Sequence, residues 1–172
     1  EAMSDRTIGE LEPLVRGGTG SRSEHETQPD DLPDKYEAGT PNGVGIAGLA
    51  AGVAWVRERG VDLIRDHETA LADRLVAGLA DLAGVTVHGP QDGARRTATV
   101  SFTAAGRTVS EIGERLDDEF GVLCRLGLHC APAAHRTIGT FPGGTVRLAL
   151  GATTTAVEIE ATLDAVARIL TS

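Results

Sequence analysis

Lysine is nearly missing from this chain. Of its 16 basic residues 15 are arginine, and Lys35 is the single lysine. Any reaction that joins a carbonyl to a lysine amine must therefore use Lys35 or borrow an amine from elsewhere. Aromatic residues are also scarce, at 3% against 41% hydrophobic, so a core has to be built from Ala, Val, Leu and Ile. Positive charge is in deficit, with a formal net charge of -9, and a nucleic-acid phosphate backbone is excluded as a partner because it needs clustered Lys and Arg. No apolar run reaches the ~20 residues that span a bilayer, and no signal-peptide pattern opens the chain. A cytoplasmic protein with no membrane partner is expected. The two cysteines, Cys124 and Cys130, are too close in sequence for a useful staple and are expected as free thiols in a reducing compartment.

What is present reads in three stretches. Residues 1–42 show no sustained periodicity; they hold Gly17-Gly18-Thr19-Gly20, a polar run from Ser21 to Asp31, and the turn-former Gly39-Thr40-Pro41-Asn42. Such a long irregular segment is expected to lie at an interface or an active site. Residues 43–84 are helical. Ile46, Leu49, Val53 and Val56 form one stripe before the stop at Arg57–Gly60, and Ile64, Leu71, Leu75, Leu79 and Leu82 form a second that ends near Gly84. Both helices are read as scaffold. Residues 85–172 form a small C-terminal domain. Val85–His88 and Thr97–Phe102 read as strands around the turn Gly89–Gly93. A helix follows, with a capping box expected from Thr108 to Glu111, with Ile112, Leu116 and Phe120 buried, and with Gly121 as its stop. Val122–Arg125 and Thr145–Leu150 are further strands. A second capping box, Thr155 with Glu158, opens a last helix striped with Ile159, Leu163, Val166 and Leu170. The expected fold is α+β, a small, mainly antiparallel sheet covered by helices.

The chemistry concentrates in Arg125-Leu126-Gly127-Leu128-His129-Cys130-Ala131-Pro132, with His135 close behind. A cation beside a thiol favours thiolate, the reactive species, and a loop flanked by Gly127 and Pro132 favours exposure. Cys130 is the candidate nucleophile, although a small buried hydrophobe is the usual role of a lone cysteine. Cys124, in an apolar stretch, is expected in the core. A metal site from Cys124, His129, Cys130 and His135 is disfavoured, since the spacing holds no CxxC pair and His129 and Cys130 are adjacent. His25, His67 and His88 are scattered and read as surface or helix-face residues. Arg147 alternates with Val146 and Leu148, so it faces solvent or a site where a guanidinium can grip a carboxylate. Gly39–Asn42 sets Thr40 and free N–H groups at a helix start, a weak phosphate-cradle signal.

Together these pieces resemble one family. Arg16–Ser21, Tyr36–Asn42, Arg125–Pro132 with His135, Gly139-Thr140 and Thr145–Arg147 occur in an order similar to the C-terminal part of the cysteine desulfurase and selenocysteine lyase group within the class V aminotransferases. The resemblance runs from about Ile8 over nearly the whole chain. It implies a fold-type I pyridoxal-phosphate enzyme, usually a homodimer. The cysteine matching Cys130 would carry a persulfide, the arginine matching Arg147 would hold the substrate carboxylate, and Arg125 and His129 match residues flanking the cysteine at the substrate. The threonine matching Thr40 would reach the cofactor phosphate across the dimer. The family's Schiff-base lysine belongs to a cofactor-binding domain upstream of the matched stretch. Lys35 matches a non-catalytic position, and Asp30, Asp31 and Asp34 around it would keep it charged. No cofactor is therefore expected on this chain alone, and a lysine-bearing half is the expected partner, with a sulfur-acceptor protein downstream. The alternative is a sulfur carrier or interaction module that works without pyridoxal phosphate and keeps only the fold and thiol.

Overall fold

The computed structural model describes residues 10–18, 22, 24–91 and 95–172. Thr19, Gly20 and Ser21 of the glycine-rich stretch, and Asp92 and Gly93 of the expected turn, lie outside the described residues. The chain divides into two compact units, Glu1–Glu58 and Arg59–Ser172.

In the first unit the irregular segment folds back on itself. Tyr36 Oη donates to the carbonyl of Leu11 at 2.9 Å, and Gly39 N–H donates to that of Gly18 at 2.8 Å. These bonds cross wide sequence gaps, so no local pattern reports them. Helix α1 (Gly43–Arg59) starts after Asn42, whose Oδ1 accepts from Gly45 N–H at 2.9 Å and so satisfies one of the free donors of the first turn. None of its residues is buried, and Val44, Ile46, Leu49 and Val53 are all exposed.

The second unit is a two-layer α+β sandwich. Helix α2 (Val61–Ala80) buries Leu71, Leu75 and Leu79 of the expected stripe together with Ala72 and Val76 beside them. Strands β1 (Val85–His88), β2 (Thr99–Ala104), β3 (Arg125–Gly127) and β4 (Thr145–Ala149) form one antiparallel sheet in the order β1-β2-β4-β3. Helix α3 (Val109–Phe120) joins β2 to β3, the short α4 (Pro132–Thr137) precedes β4, and α5 (Ala156–Thr171) ends the chain.

Register separates the two faces. Val87, Phe102, Val146 and Leu126 lie in one row across all four strands, and the row beside it is His88, Ser101, Arg147 and Arg125. Successive residues of a strand point to opposite faces, so one face is apolar and the other polar. The apolar face meets α2, α3 and α5 in a core centred on Leu75, Leu79, Phe102, Ile112, Leu116, Val146, Val166 and Ile169. Phe120 only borders this core.

Capping fixes the helix ends. Thr155 and Glu158 form the full expected box. The Thr108 box forms by half: Thr108 Oγ1 accepts from Glu111 N–H at 3.1 Å, while the Glu111 carboxylate is taken by Arg107. The strand expected at Val122–Arg125 is displaced to Arg125–Gly127. Gly121 closes α3 in the left-handed conformation at φ 65°, and Val122 N–H is used on the carbonyl of Leu116, so the first residues after the helix serve its cap rather than the sheet.

Candidate active site

The residues grouped by sequence around Cys130 are built on the polar face of the sheet. Arg125 and Arg147 are directly opposed on β3 and β4, so their side chains leave the same face. Beyond Gly127 the chain turns through two consecutive left-handed residues, His129 at φ 50° and Cys130 at φ 61°. Ala131 N–H closes the turn on the Leu128 carbonyl at 2.8 Å, and Pro132 then starts α4, where its missing N–H is no loss. Non-glycine residues in this region cost energy and mark places where the surroundings impose the conformation.

The turn carries the Cys130 thiol outward, free and exposed. The Nη2 of Arg125 lies 3.9 Å from its sulfur. Arg147 is half-buried, and its Nε is buried with no partner among the described residues. His129 reaches inward instead: Nε2 bonds the hydroxyl of Thr145 at 3.1 Å, and its ring sits 5.6 Å from that of His135. Burial, then Arg147, His135 and Arg125, hold the His129 imidazole below its ordinary 6.5, against a smaller upward pull from its bond to Thr145. His135 is buried and bonds Thr140 Oγ1 at 2.7 Å.

Arg125, His129, Cys130 and Arg147 are thus brought together in the second unit. Thr40 belongs to the first unit, in the exposed loop ahead of α1. Cys124 is half-buried against the core, and burial followed by Asp117 pushes its thiol above the ordinary value. Among the described residues no three His, Cys, Asp or Glu side chains converge on one point. His88 lies on the polar face beside Ser101 and bonds Thr103 Oγ1 at 3.0 Å, while His67 bonds the carbonyl of Thr154 at 2.8 Å. Two cavities of the second unit are lined by other residues. One of about 350 Å³ is lined by residues such as Leu75, Phe120, Leu123 and Leu148, and one of about 530 Å³ by residues such as His88, Arg107, Ser110 and Phe141. Thr145 is the site residue that the sequence reading passed over; its place two residues before Arg147 on the same strand is the only signal it gives.

This arrangement offers a thiol acceptor with a cation at its sulfur and a second guanidinium on the same face, a set suited to an anionic, carboxylate-bearing substrate. A probable cysteine desulfurase of Mycobacterium leprae is 34% identical over 138 residues, 80% of this chain and 32% of that protein. One from Halobacterium salinarum is 38% identical over 135 residues, 77% of this chain and 32% of that protein. Among solved structures, the apo cysteine desulfurase of Thermococcus onnurineus NA1 overlays with a TM-score of 0.81 at 29% identity, covering 98% of this chain and 42% of that one. The S-sulfonic acid form of the cysteine desulfurase CsdA of Escherichia coli gives 0.79 at 27% identity, with 98% and 41% covered. The chain spans about a third of the length of these curated relatives. The Aminotransferase class-V family matches residues 2–162, and on that match this chain belongs to the class-V aminotransferases.

Proposed function

We propose that this chain is the thiol-bearing portion of a pyridoxal-phosphate-dependent cysteine desulfurase, working with a complementary portion that supplies the cofactor lysine. The observation that carries this reading is the exposed Cys130 sulfur 3.9 Å from the Arg125 guanidinium, on the face where Arg147 stands opposite Arg125. Arg147 grips the substrate carboxylate, using the Nε donor that has no acceptor among the described residues. The Arg125 guanidinium is the cation that stands at the Cys130 sulfur. The step assigned to this chain is sulfur transfer: the thiolate pair forms an S–S bond to the substrate sulfur, and the C–S bond breaks with its pair left on the carbon skeleton. Pyridoxal phosphate, when bound, supplies the electron sink for that pair.

That cofactor needs a lysine amine as well as phosphate donors, and this chain fits the second need better than the first. Thr40 offers an exposed hydroxyl beside the start of α1. Lys35 is 8% exposed, with its Nζ over the Tyr36 ring at 5.5 Å. No step through the cofactor is assigned to this chain alone. The exposed apolar side chains of α1 support a partner surface, since a soluble helix seldom leaves so many uncovered.

The test is reconstitution. The chain alone is expected to be colourless, without the visible absorbance of a lysine-bound cofactor. Co-expression with a lysine-bearing half should yield sulfide from cysteine, and Cys130→Ala should abolish it. Sulfide release that survives Cys130→Ala removes the thiol from the reaction. Persulfide on Cys130 with no cofactor-bearing partner present would favour the carrier alternative.

A further inference from the structure

Thr145 is 1% exposed and lies on β4 two residues before Arg147, opposite Gly127, the residue from which the thiol-bearing turn departs. Its hydroxyl meets His129 Nε2 at 3.1 Å, and His129 is bonded through the chain to Cys130. We propose that Thr145 is a positioning residue for the sulfur transfer: through the His129 imidazole it ties the turn that carries Cys130 to the strand that carries Arg147. This rests on the function proposed above.

The argument is geometric. His129 and Cys130 are both left-handed, and among the described residues one backbone bond, from Ala131 N–H to the Leu128 carbonyl, closes the turn. One such bond does not offset two strained residues, so a side-chain anchor is needed. The Thr145 bond provides it from one side of the ring. From the other side the His135 ring packs at 5.6 Å and a tilt of 48°, itself fixed by the bond to Thr140. The imidazole is also suited to being neutral. Its Nδ1 is buried without a partner among the described residues, and a bare ring nitrogen there costs less than the extra N–H donor of a charged ring. The thiol and the carboxylate grip then share the frame of one strand. A substrate held by Arg147 meets the sulfur acceptor at a set distance, which is where rate is gained by orientation.

The experiment compares Thr145→Val, which removes the hydroxyl at nearly constant shape, with Thr145→Ser, which restores it. On the chain alone, amide hydrogen exchange of residues 128–131 should quicken on the order of tenfold in Thr145→Val, the size expected for one lost hydrogen bond. Exchange in 146–149 should not change, and Thr145→Ser should return 128–131 to the parent rate. In the enzyme assembled with its lysine-bearing half, Thr145→Val should slow persulfide formation on Cys130 by about tenfold while KM for cysteine stays within about twofold. Unchanged exchange in 128–131, failure of Thr145→Ser to restore it, or a rise in KM with kcat intact would overturn the proposal. If Thr145→Val does not fold, His129→Asn carries the same exchange test with the same expected and contrary results. Because exchange is read without cofactor or substrate, a chain that shows the tether but never releases sulfide would refute the desulfurase reading and leave the tether standing.

Discussion

A guanidinium that keeps one nitrogen buried and unsatisfied costs about 1–3 kcal/mol until an acceptor arrives, and Arg147 Nε is in that state among the described residues. A substrate carboxylate would relieve it. Arg147→Lys keeps the charge but loses the planar fork, so in the assembled enzyme KM for cysteine should rise on the order of tenfold to a hundredfold, the range of a lost charge-assisted hydrogen bond. Steady-state kinetics check this; an unchanged KM would free Arg147 from the substrate. Much of the site was readable at this scale because its parts lie close together in sequence. Arg125, His129 and Cys130 fall within one hexapeptide, and the turn between Gly127 and Pro132 places the thiol outward where exposure was expected. Alternation alone left Arg147 open between solvent and a site; the register opposite Arg125 decides which neighbours it has. Thr145 was hidden because a threonine in a strand is ordinary, and its bond to His129 spans 16 residues.

Two strands begin later than expected, β2 at Thr99 and β3 at Arg125, and β3 matters most, because its three residues carry Arg125 to the thiol. Its apolar approach, Val122 to Cys124, looks like a strand, yet the αL cap at Gly121 consumes the first of these residues. The other end of β3 depends on Gly144, which sits at φ 79° just ahead of β4 and leaves no room for a Cβ beside the backbone of Gly127. A Cβ there would overlap the Gly127 carbonyl as well as demand a left-handed alanine. Gly144→Ala should therefore destabilise the fold by on the order of 1–3 kcal/mol. Urea unfolding would report it as a lower midpoint at constant slope; an unchanged midpoint would mean the β3–β4 approach is looser than described. The helices were more legible than the strands. Their stripes repeat over several turns, and the Thr155–Glu158 box announces α5 from two residues. The α1 stripe was equally clear, but periodicity cannot say what covers it, and none of its residues is buried.

For the molecule as a whole, histidine burial sets how stability follows pH. His88 and His129 are both held below their ordinary 6.5, each by burial first, with His135 adding to both and the two arginines adding at His129. Between 6.5 and those lower values the unfolded chain binds more protons than the folded one, so stability is fullest above 6.5 and falls as pH drops toward the folded values. Glu158, held below its ordinary 4.5 by the bonds from Thr155, responds only in more acid solution. Urea midpoints should thus fall between pH 7.5 and 5.5, and the fall should shrink in His129→Asn; a flat profile would contradict the burial of these rings. The irregular first unit was illegible at this scale, since its shape rests on bonds such as Tyr36 to Leu11 that no window of sequence contains.

The most direct measurement of the central claim is mass spectrometry of this chain after incubation with its lysine-bearing half, pyridoxal phosphate and cysteine. One added sulfur on the peptide carrying Cys130, with Cys124 unmodified, is the predicted result. Sulfur on Cys124 alone, or sulfide release with neither thiol modified at any time in the reaction, would contradict it.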